Sequence, residues 1–178
     1  MANVVIVADM VRGFCEDGRN LYVGPTVREI IPRIQELLRR EKAAGSHVIF
    51  ICDTHDPDDK EFEMFPAHCI RGSEEPDVIP ELAEFAGEII PKRRYSAFFE
   101  TNLGERLAEL KPDKIVIAGV CTNICVLYTA AEARYHDYNV EVPADCVATF
   151  DPDAHAFALK EMQTVLGANV TGLPAASR

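Results

Sequence analysis

A small set of side chains able to do covalent or metal chemistry sits just past apolar runs of strand length. Asp9 follows Val4–Ala8, Asp53 and His55 follow Val48–Ile51, Lys92 follows Glu88–Pro91, and Cys125 comes shortly after Lys114–Ala118. A free thiol with a pKa of about 8.5 is only a few per cent ionised at neutral pH, so a nucleophilic cysteine needs neighbours. A carboxylate can take its proton, and a lysine can hold the carboxylate and stabilise the thiolate. Asp9, Lys92 and Cys125 therefore suit acyl transfer, with Cys125 attacking a carbonyl carbon. Cys125 closes the stretch Gly119-Val120-Cys121-Thr122-Asn123-Ile124-Cys125, which reads as a strand end, a tight turn and a helix start. Unpaired N–H groups and the positive end of the helix dipole there favour a thiolate and an oxyanion. Taken alone, Cys125 is better read as a core cysteine, because free cysteines are often buried. The aspartate and lysine at neighbouring strand ends reverse that preference.

A second constellation is Asp53-Thr54-His55 with His68 thirteen residues beyond His55. One carboxylate and two imidazoles fill three positions of a Zn²⁺, Mn²⁺ or Fe²⁺ site and leave others open. Asp-x-His also arises by chance, with the aspartate capping a turn and the histidines on the surface, and spacing does not decide between the two. Phe14, in the loop from Met10 to Pro25, either packs under that loop or faces a ligand.

The elements that must position these groups follow from periodicity. Six segments read as strands: Val4–Ala8, Val48–Ile51, Glu88–Pro91, Lys114–Ala118, Val140–Val142 and Ala168–Val170. Val27, Ile30, Ile31, Ile34, Leu37 and Leu38 give a helical stripe over Thr26–Lys42, with Thr26 as N-cap and Gly45 after its end. Further helices are expected over Pro80–Phe85, Asn102–Leu110, from Thr122 or Asn123 to His136 with Ile124, Leu127, Tyr128 and Ala131 inward, and from Asp153 as cap to about Leu166. Pro143–Thr149 reads as a loop and Pro174–Arg178 as a tail. Strands alternating with helices give an α/β class, here a doubly wound, mostly parallel six-stranded sheet with helices on both faces. In such sheets the carboxyl ends of the strands share one edge, so Asp9, Asp53, His55, Lys92 and Cys125 are expected to converge there.

Composition narrows the class. A chain of 178 residues is expected to fold as a single domain, 1–178. A net charge of -11 without a cluster of Lys and Arg excludes an electrostatic footprint for nucleic acid. No apolar run is long enough to span a membrane, and Met1-Ala2-Asn3 leads straight into strand-like residues, so no signal peptide and a cytoplasmic location are expected. The six cysteines (Cys15, Cys52, Cys69, Cys121, Cys125, Cys146) then read as thiols rather than a disulfide framework. No phosphate-binding glycine motif follows a strand.

These motifs together resemble the isochorismatase-like cysteine hydrolases, and within that family the nicotinamidases. The matching segments are Asp9-Met10-Val11-Arg12-Gly13-Phe14, Asn20-Leu21-Tyr22-Val23, Asp53-Thr54-His55, Phe65-Pro66-Ala67-His68-Cys69, Lys92 before Tyr95-Ser96-Ala97-Phe98, and Gly119-x-x-Thr122-x-x-Cys125. The resemblance runs from about Val4 to Gly172. It implies an Asp9-Lys92-Cys125 triad and one divalent metal, zinc first with manganese or iron as alternatives, held by Asp53, His55 and His68. It also implies a cis peptide between Val120 and Cys121, an oxyanion hole from the backbone N–H groups of Cys121 and Cys125, and a ring pocket lined by Phe14 and Phe65. The implied activity is hydrolysis of nicotinamide to nicotinate and ammonia through a thioester, with a small-molecule amide as partner and a homo-oligomer as the assembly. The chain departs from the family pattern at Val11 and Arg12 (usually Gln and Asn), Phe65 (usually Trp), Asn123 (commonly Asp) and Cys121 (commonly Ala). Rival readings are the same chemistry on another amide or carbamoyl compound, isochorismate vinyl-ether hydrolysis, a Cys121–Cys125 thiol-redox pair, and a structural zinc site. Relatives that hydrolyse isochorismate lack the cysteine, a redox pair leaves Asp9 and Lys92 idle, and three ligands do not close a structural site.

Overall fold

A computed structural model describes residues 2–172, and the expected tail over 174–178 lies outside them. The strands are β1 (Val4–Ala8), β2 (His47–Asp53), β3 (Glu88–Lys92), β4 (Ile115–Val120), β5 (Val140–Pro143), β6 (Val147–Ala148) and β7 (Asn169–Thr171). They form one parallel sheet in the order β3-β2-β1-β4-β5-β7, and β6 pairs with the carboxyl end of β4. The expected class holds. The strand count rises from six to seven because Val147–Ala148, read as loop from sequence, extends along Gly119 and Val120.

Two layers of helix cover the sheet. Val5, Val7, Phe50 and Val116 point to the side packed by α2 (Thr26–Ala43) and the turn Pro80–Phe85. Val4, Ile6, Ile49, Ile51, Ile115 and Ile117 point to the side packed by α3 (Leu103–Leu110), α4 (Leu127–Tyr135) and α5 (Pro152–Thr164). Central strands covered on both faces must be apolar throughout, and β1 and β4 are buried at every position. β3 is an edge strand and Lys92 turns its carbonyl toward β2, so the neighbouring Pro91 nitrogen faces the open edge, where no ladder hydrogen bond is needed.

Several local expectations change. A short helix, α1 (Arg12–Cys15), interrupts the loop from Met10 to Pro25. Thr26 lies already inside α2, because Pro25 ahead of it has helical dihedrals and no side chain caps the helix. Gly45 does take the left-handed conformation expected after the helix end. Asp151, not Asp153, caps α5: its carboxylate accepts from the N–H groups of Asp153 and Ala154, and Pro152 occupies the first helical position.

The largest local difference lies after β4. Thr122–Val126 forms a π-helical turn, in which the Val126 N–H donates to the Cys121 carbonyl at 3.2 Å. The extra residue in this turn rotates the side chains of α4 about the helix axis. The buried face becomes Cys125, Val126, Thr129, Ala130 and Ala133, while Tyr128 faces outward. Small residues at 130 and 133 let the helix lie close to the sheet.

The strand order reverses direction between β1 and β4, where crossovers leave to opposite sides. A crevice at the carboxyl ends of strands at such a switch point is where open α/β sheets bind ligands. Gly119 makes this pair possible: its φ is +114°, and a Cβ there would sit 2.0 Å from the Ala8 carbonyl oxygen. Any side chain would push β4 away from β1 at the crevice floor.

Candidate active site

Sheet register brings the strand-end residues together. Asp53 and Lys92 are direct partners across β2 and β3, and the Thr54 N–H donates to the Lys92 carbonyl at 2.7 Å. Asp9 follows β1 with φ +51°, its N–H bonded to the Ile51 carbonyl and its Oδ1 accepting from the Asp53 N–H at 2.9 Å. The Lys92 ammonium lies 3.0 Å from Asp9 Oδ2 and 3.4 Å from Cys125 Sγ, and it also donates to Asp53 Oδ1. All four side chains are buried. Asp9, Lys92 and Cys125 thus meet in one contact. Val120–Cys121 is a cis peptide bond, as the resemblance implies.

The charges in this contact distribute unevenly. Burial works against a carboxylate on Asp53, but the Lys92 charge and the adjacent imidazoles of His55 and His68 outweigh it and hold Asp53 well below the usual carboxylate range. Burial likewise opposes the Lys92 ammonium, and Asp53 and Asp9 more than offset it, so Lys92 stays charged. Asp9 is pushed up to about 6 by burial and the Asp53 charge, against Lys92. Burial and the Asp9 charge push the Cys125 thiol well above its ordinary value, with Lys92 opposing. Cys125 is therefore a neutral thiol beside a carboxylate of raised basicity. This corrects the expectation that the lysine and the helix start favour a resting thiolate: desolvation of the buried sulfur outweighs both. Asp9 Oδ2 is ion-paired with Lys92 and accepts no well-directed hydrogen bond among the described residues.

The second constellation assembles beside the first. His55 N–H donates to the Cys69 carbonyl at 2.9 Å and the Arg71 N–H to the His55 carbonyl at 2.8 Å, so a one-residue bridge folds the long loop back and sets His68 next to His55. The two rings lie 4.6 Å apart, centroid to centroid. Their Nε2 atoms face Asp53 Oδ2 at 3.6 and 3.8 Å, and His68 Nε2 is 3.9 Å from Glu61 Oε1. Asp53, His55, Glu61 and His68 each offer a ligand atom within 4.8 Å of all the others, and all four are buried. Among the described residues His55 Nε2 and Glu61 Oε2 make no hydrogen bond, although Glu61 Oε2 lies 3.6 Å from Arg94 Nη1. Buried polar atoms left unpaired are costly, and a convergent set of two imidazoles and two carboxylates fits a divalent cation of the zinc, manganese or iron type.

Asp53 joins the two constellations, facing Lys92 through Oδ1 and the imidazoles through Oδ2. Above them lies a small pocket with Cys125, Cys121, Asp53, Glu61 and His68 at its base and Phe14, Leu21, Phe65, Tyr95, Ile124 and Phe150 as walls. Phe14 and Phe65 are where the resemblance implies, and Phe14 packs against His68 at 5.6 Å between centroids. Glu61 and Phe150 carry no sequence signal, while Tyr95 enters the sequence motifs only beside Lys92 and Ile124 only as an inward helix residue, not as pocket walls. Glu61 is one acid among several in the segment from Asp56 to Glu63, and no spacing rule sets it apart.

A family model for the isochorismatase domain matches residues 3–173. An isochorismatase-family protein of Bacillus subtilis (strain 168) is 32% identical over 96% of this chain and 99% of its own length. The crystal structure of a pyrazinamidase/nicotinamidase from Streptococcus mutans UA159 superposes with a TM-score of 0.89 at 34% identity, covering 95% of this chain and 99% of that one. A pyrazinamidase of Pyrococcus horikoshii, crystallised in complex with zinc, gives a TM-score of 0.88 at 29% identity over 97% of this chain and 100% of its own.

Proposed function

Because the chain belongs to the isochorismatase family, which includes hydrolases of amide and carbamoyl C–N bonds, we propose that it is a metal-dependent amidase converting nicotinamide to nicotinate and ammonia through a thioester on Cys125. The observation that supports this most is the Asp9–Lys92–Cys125 contact sharing Asp53 with a four-residue cation cluster.

Cys125 Sγ attacks the amide carbon as its proton passes to Asp9 Oδ2. Moving the proton in the same step avoids forming a free thiolate in a buried site that disfavours it. Lys92, charged throughout, stabilises the negative charge as it moves between sulfur and carboxylate. The N–H groups of Cys121 and Cys125 receive the tetrahedral oxyanion. Collapse breaks the C–N bond, and Asp9 returns its proton to the departing ammonia. Asp9 then takes a proton from water as that water attacks the thioester; a second collapse releases the acid and restores the Cys125 thiol. Phe14 and Phe65 hold the flat ring and keep bulk water out. A divalent cation held by Asp53, His55, Glu61 and His68 would supply a Lewis acid for the ring nitrogen.

The test is ammonia release from nicotinamide by purified protein, stripped of metal and then reloaded with zinc or manganese. Metal-restored release is expected. Absence of release by a folded, metal-loaded protein would discard nicotinamide, and pyrazinamide and small carbamoyl amides would be assayed next.

A further inference from the structure

One buried carboxylate next to the cation cluster has no part in the reaction described. The Asp59 side chain is 5% exposed, and its Oδ2 lies 3.1 Å from Nδ1 of His55, whose own side chain is fully buried. Asp59 is held from two further directions. Arg94 Nη1 donates to its Oδ1 at 2.8 Å and to its Oδ2 at 3.0 Å, and the Glu61 N–H donates to Oδ1 at 2.9 Å. Arg94 Nη1 also lies 3.6 Å from Glu61 Oε2 and donates to the Arg93 carbonyl at 2.5 Å. The other imidazole is held differently: His68 Nδ1 faces the Pro66 carbonyl at 2.8 Å.

An ionised carboxylate only accepts hydrogen bonds, so the Asp59 contact requires the proton of His55 to sit on Nδ1. Nε2 then carries a lone pair and points at Asp53 Oδ2. A carboxylate behind a ligating histidine fixes both its tautomer and its ring orientation. We infer that Asp59, clamped by Arg94, is the positioning residue that keeps His55 Nε2 open to a divalent cation, and that Arg94 ties this loop to the segment that begins at Lys92. This rests on the proposed cation site. It gives Arg94, two residues past the triad lysine, the task of setting Asp59 and Glu61 together.

Asp59→Asn separates this role from a purely structural one. Asparagine keeps an oxygen to cap the turn Lys60–Glu63, but places an amide donor opposite His55 Nδ1. The ring must then accept at Nδ1 and carry its proton on Nε2, facing the cation. Zn²⁺ affinity is measured by chelator competition for wild type, Asp59→Asn and Arg94→Met, with the absorption spectrum of the Co²⁺ forms and the melting temperature of each metal-free protein. Asp59→Asn is expected to weaken Zn²⁺ binding about 10- to 100-fold and alter the Co²⁺ spectrum, with metal-free melting unchanged. Arg94→Met is expected to weaken it by a smaller factor in the same direction. Wild-type affinity and spectrum in Asp59→Asn would overturn the inference, as would a loss matched by an equal fall in metal-free stability. If Asp59→Asn does not fold, Arg94→Met decides, and unchanged affinity there overturns it. A wild-type protein that takes up no Zn²⁺ fails at the cation site itself, a result distinct from failure of Asp59.

Discussion

The triad and the cation cluster share Asp53, yet they are held in place by different means. Asp9, Lys92 and Asp53 stand at strand ends, where sheet register and backbone hydrogen bonds determine who meets whom. Glu61 and His68 stand on a loop held by isolated bridges at His55–Ile70 and Val11–Val78, the neighbouring rings and side-chain contacts. The charge balance differs too. In the triad half, one ammonium sits between two carboxylates. In the cluster half, two buried carboxylates and two imidazoles converge, and the cations that face its carboxylates, Lys92 on Asp53 and Arg94 3.6 Å from Glu61 Oε2, stand behind them rather than among them. The strand-end half is held by the sheet itself, whereas the loop half depends on orienting side chains and, under the proposed function, on a bound cation.

Substitutions can break this division. The largest effect is expected from Cys125→Ala, which should lower turnover by about 10⁴-fold or more while leaving Zn²⁺ affinity near wild type. Steady-state kinetics and chelator competition on the same preparation check both parts, and a matching loss of metal would mean the halves are not separable. Lys92→Met strikes both at once. It leaves Asp9 and Asp53 as buried, uncompensated carboxylates, so it should cost about 3–5 kcal/mol of stability in urea unfolding as well as activity. Gly119→Ala should injure only the triad half, because the new Cβ collides with the Ala8 carbonyl at a positive φ. A stability loss of more than about 1 kcal/mol with unchanged Zn²⁺ affinity is expected.

A smaller effect concerns pH. The Cys125 thiol is raised above its ordinary value, so it is neutral at pH 7, and its thiolate fraction grows only as pH climbs through that raised value. Alkylation of Cys125 by iodoacetamide in the metal-free protein, followed by peptide mass spectrometry, should be slow at neutral pH and accelerate in alkali. Fast labelling at pH 7 would mean that Lys92 outweighs burial and the Asp9 charge. Asp9→Asn should move the acceleration to lower pH by removing a charge that raises the thiol.

The same division explains what the sequence disclosed. Asp9 and Asp53 follow uninterrupted apolar runs and Lys92 follows the shorter Ile89-Ile90-Pro91, and the strands of a parallel sheet end on a common edge, so their convergence could be anticipated from pattern alone. His55 and His68 had a usable spacing but an equally ordinary alternative, and it takes the bridge between His55 and Ile70 to bring them together. Glu61, Asp59 and Arg94 carry no periodic signal; their roles come from a turn and from contacts between residues far apart in sequence. The π-helical turn at Thr122–Val126 was invisible for a related reason. Helical periodicity assumes a fixed residue count per turn, and the extra residue moved the buried stripe from Ile124, Leu127 and Tyr128 to Val126, Thr129 and Ala133.

The central claim is that both halves serve one reaction that passes through Cys125. Acid-quenching the metal-loaded protein during turnover of nicotinamide, then mapping its peptides by mass spectrometry, tests this most directly. A nicotinoyl group on the peptide containing Cys125, absent from the Cys125→Ala protein and from metal-stripped protein, is the expected result. Ammonia release that continues in Cys125→Ala at the wild-type rate, with no acyl group on any peptide, would contradict it.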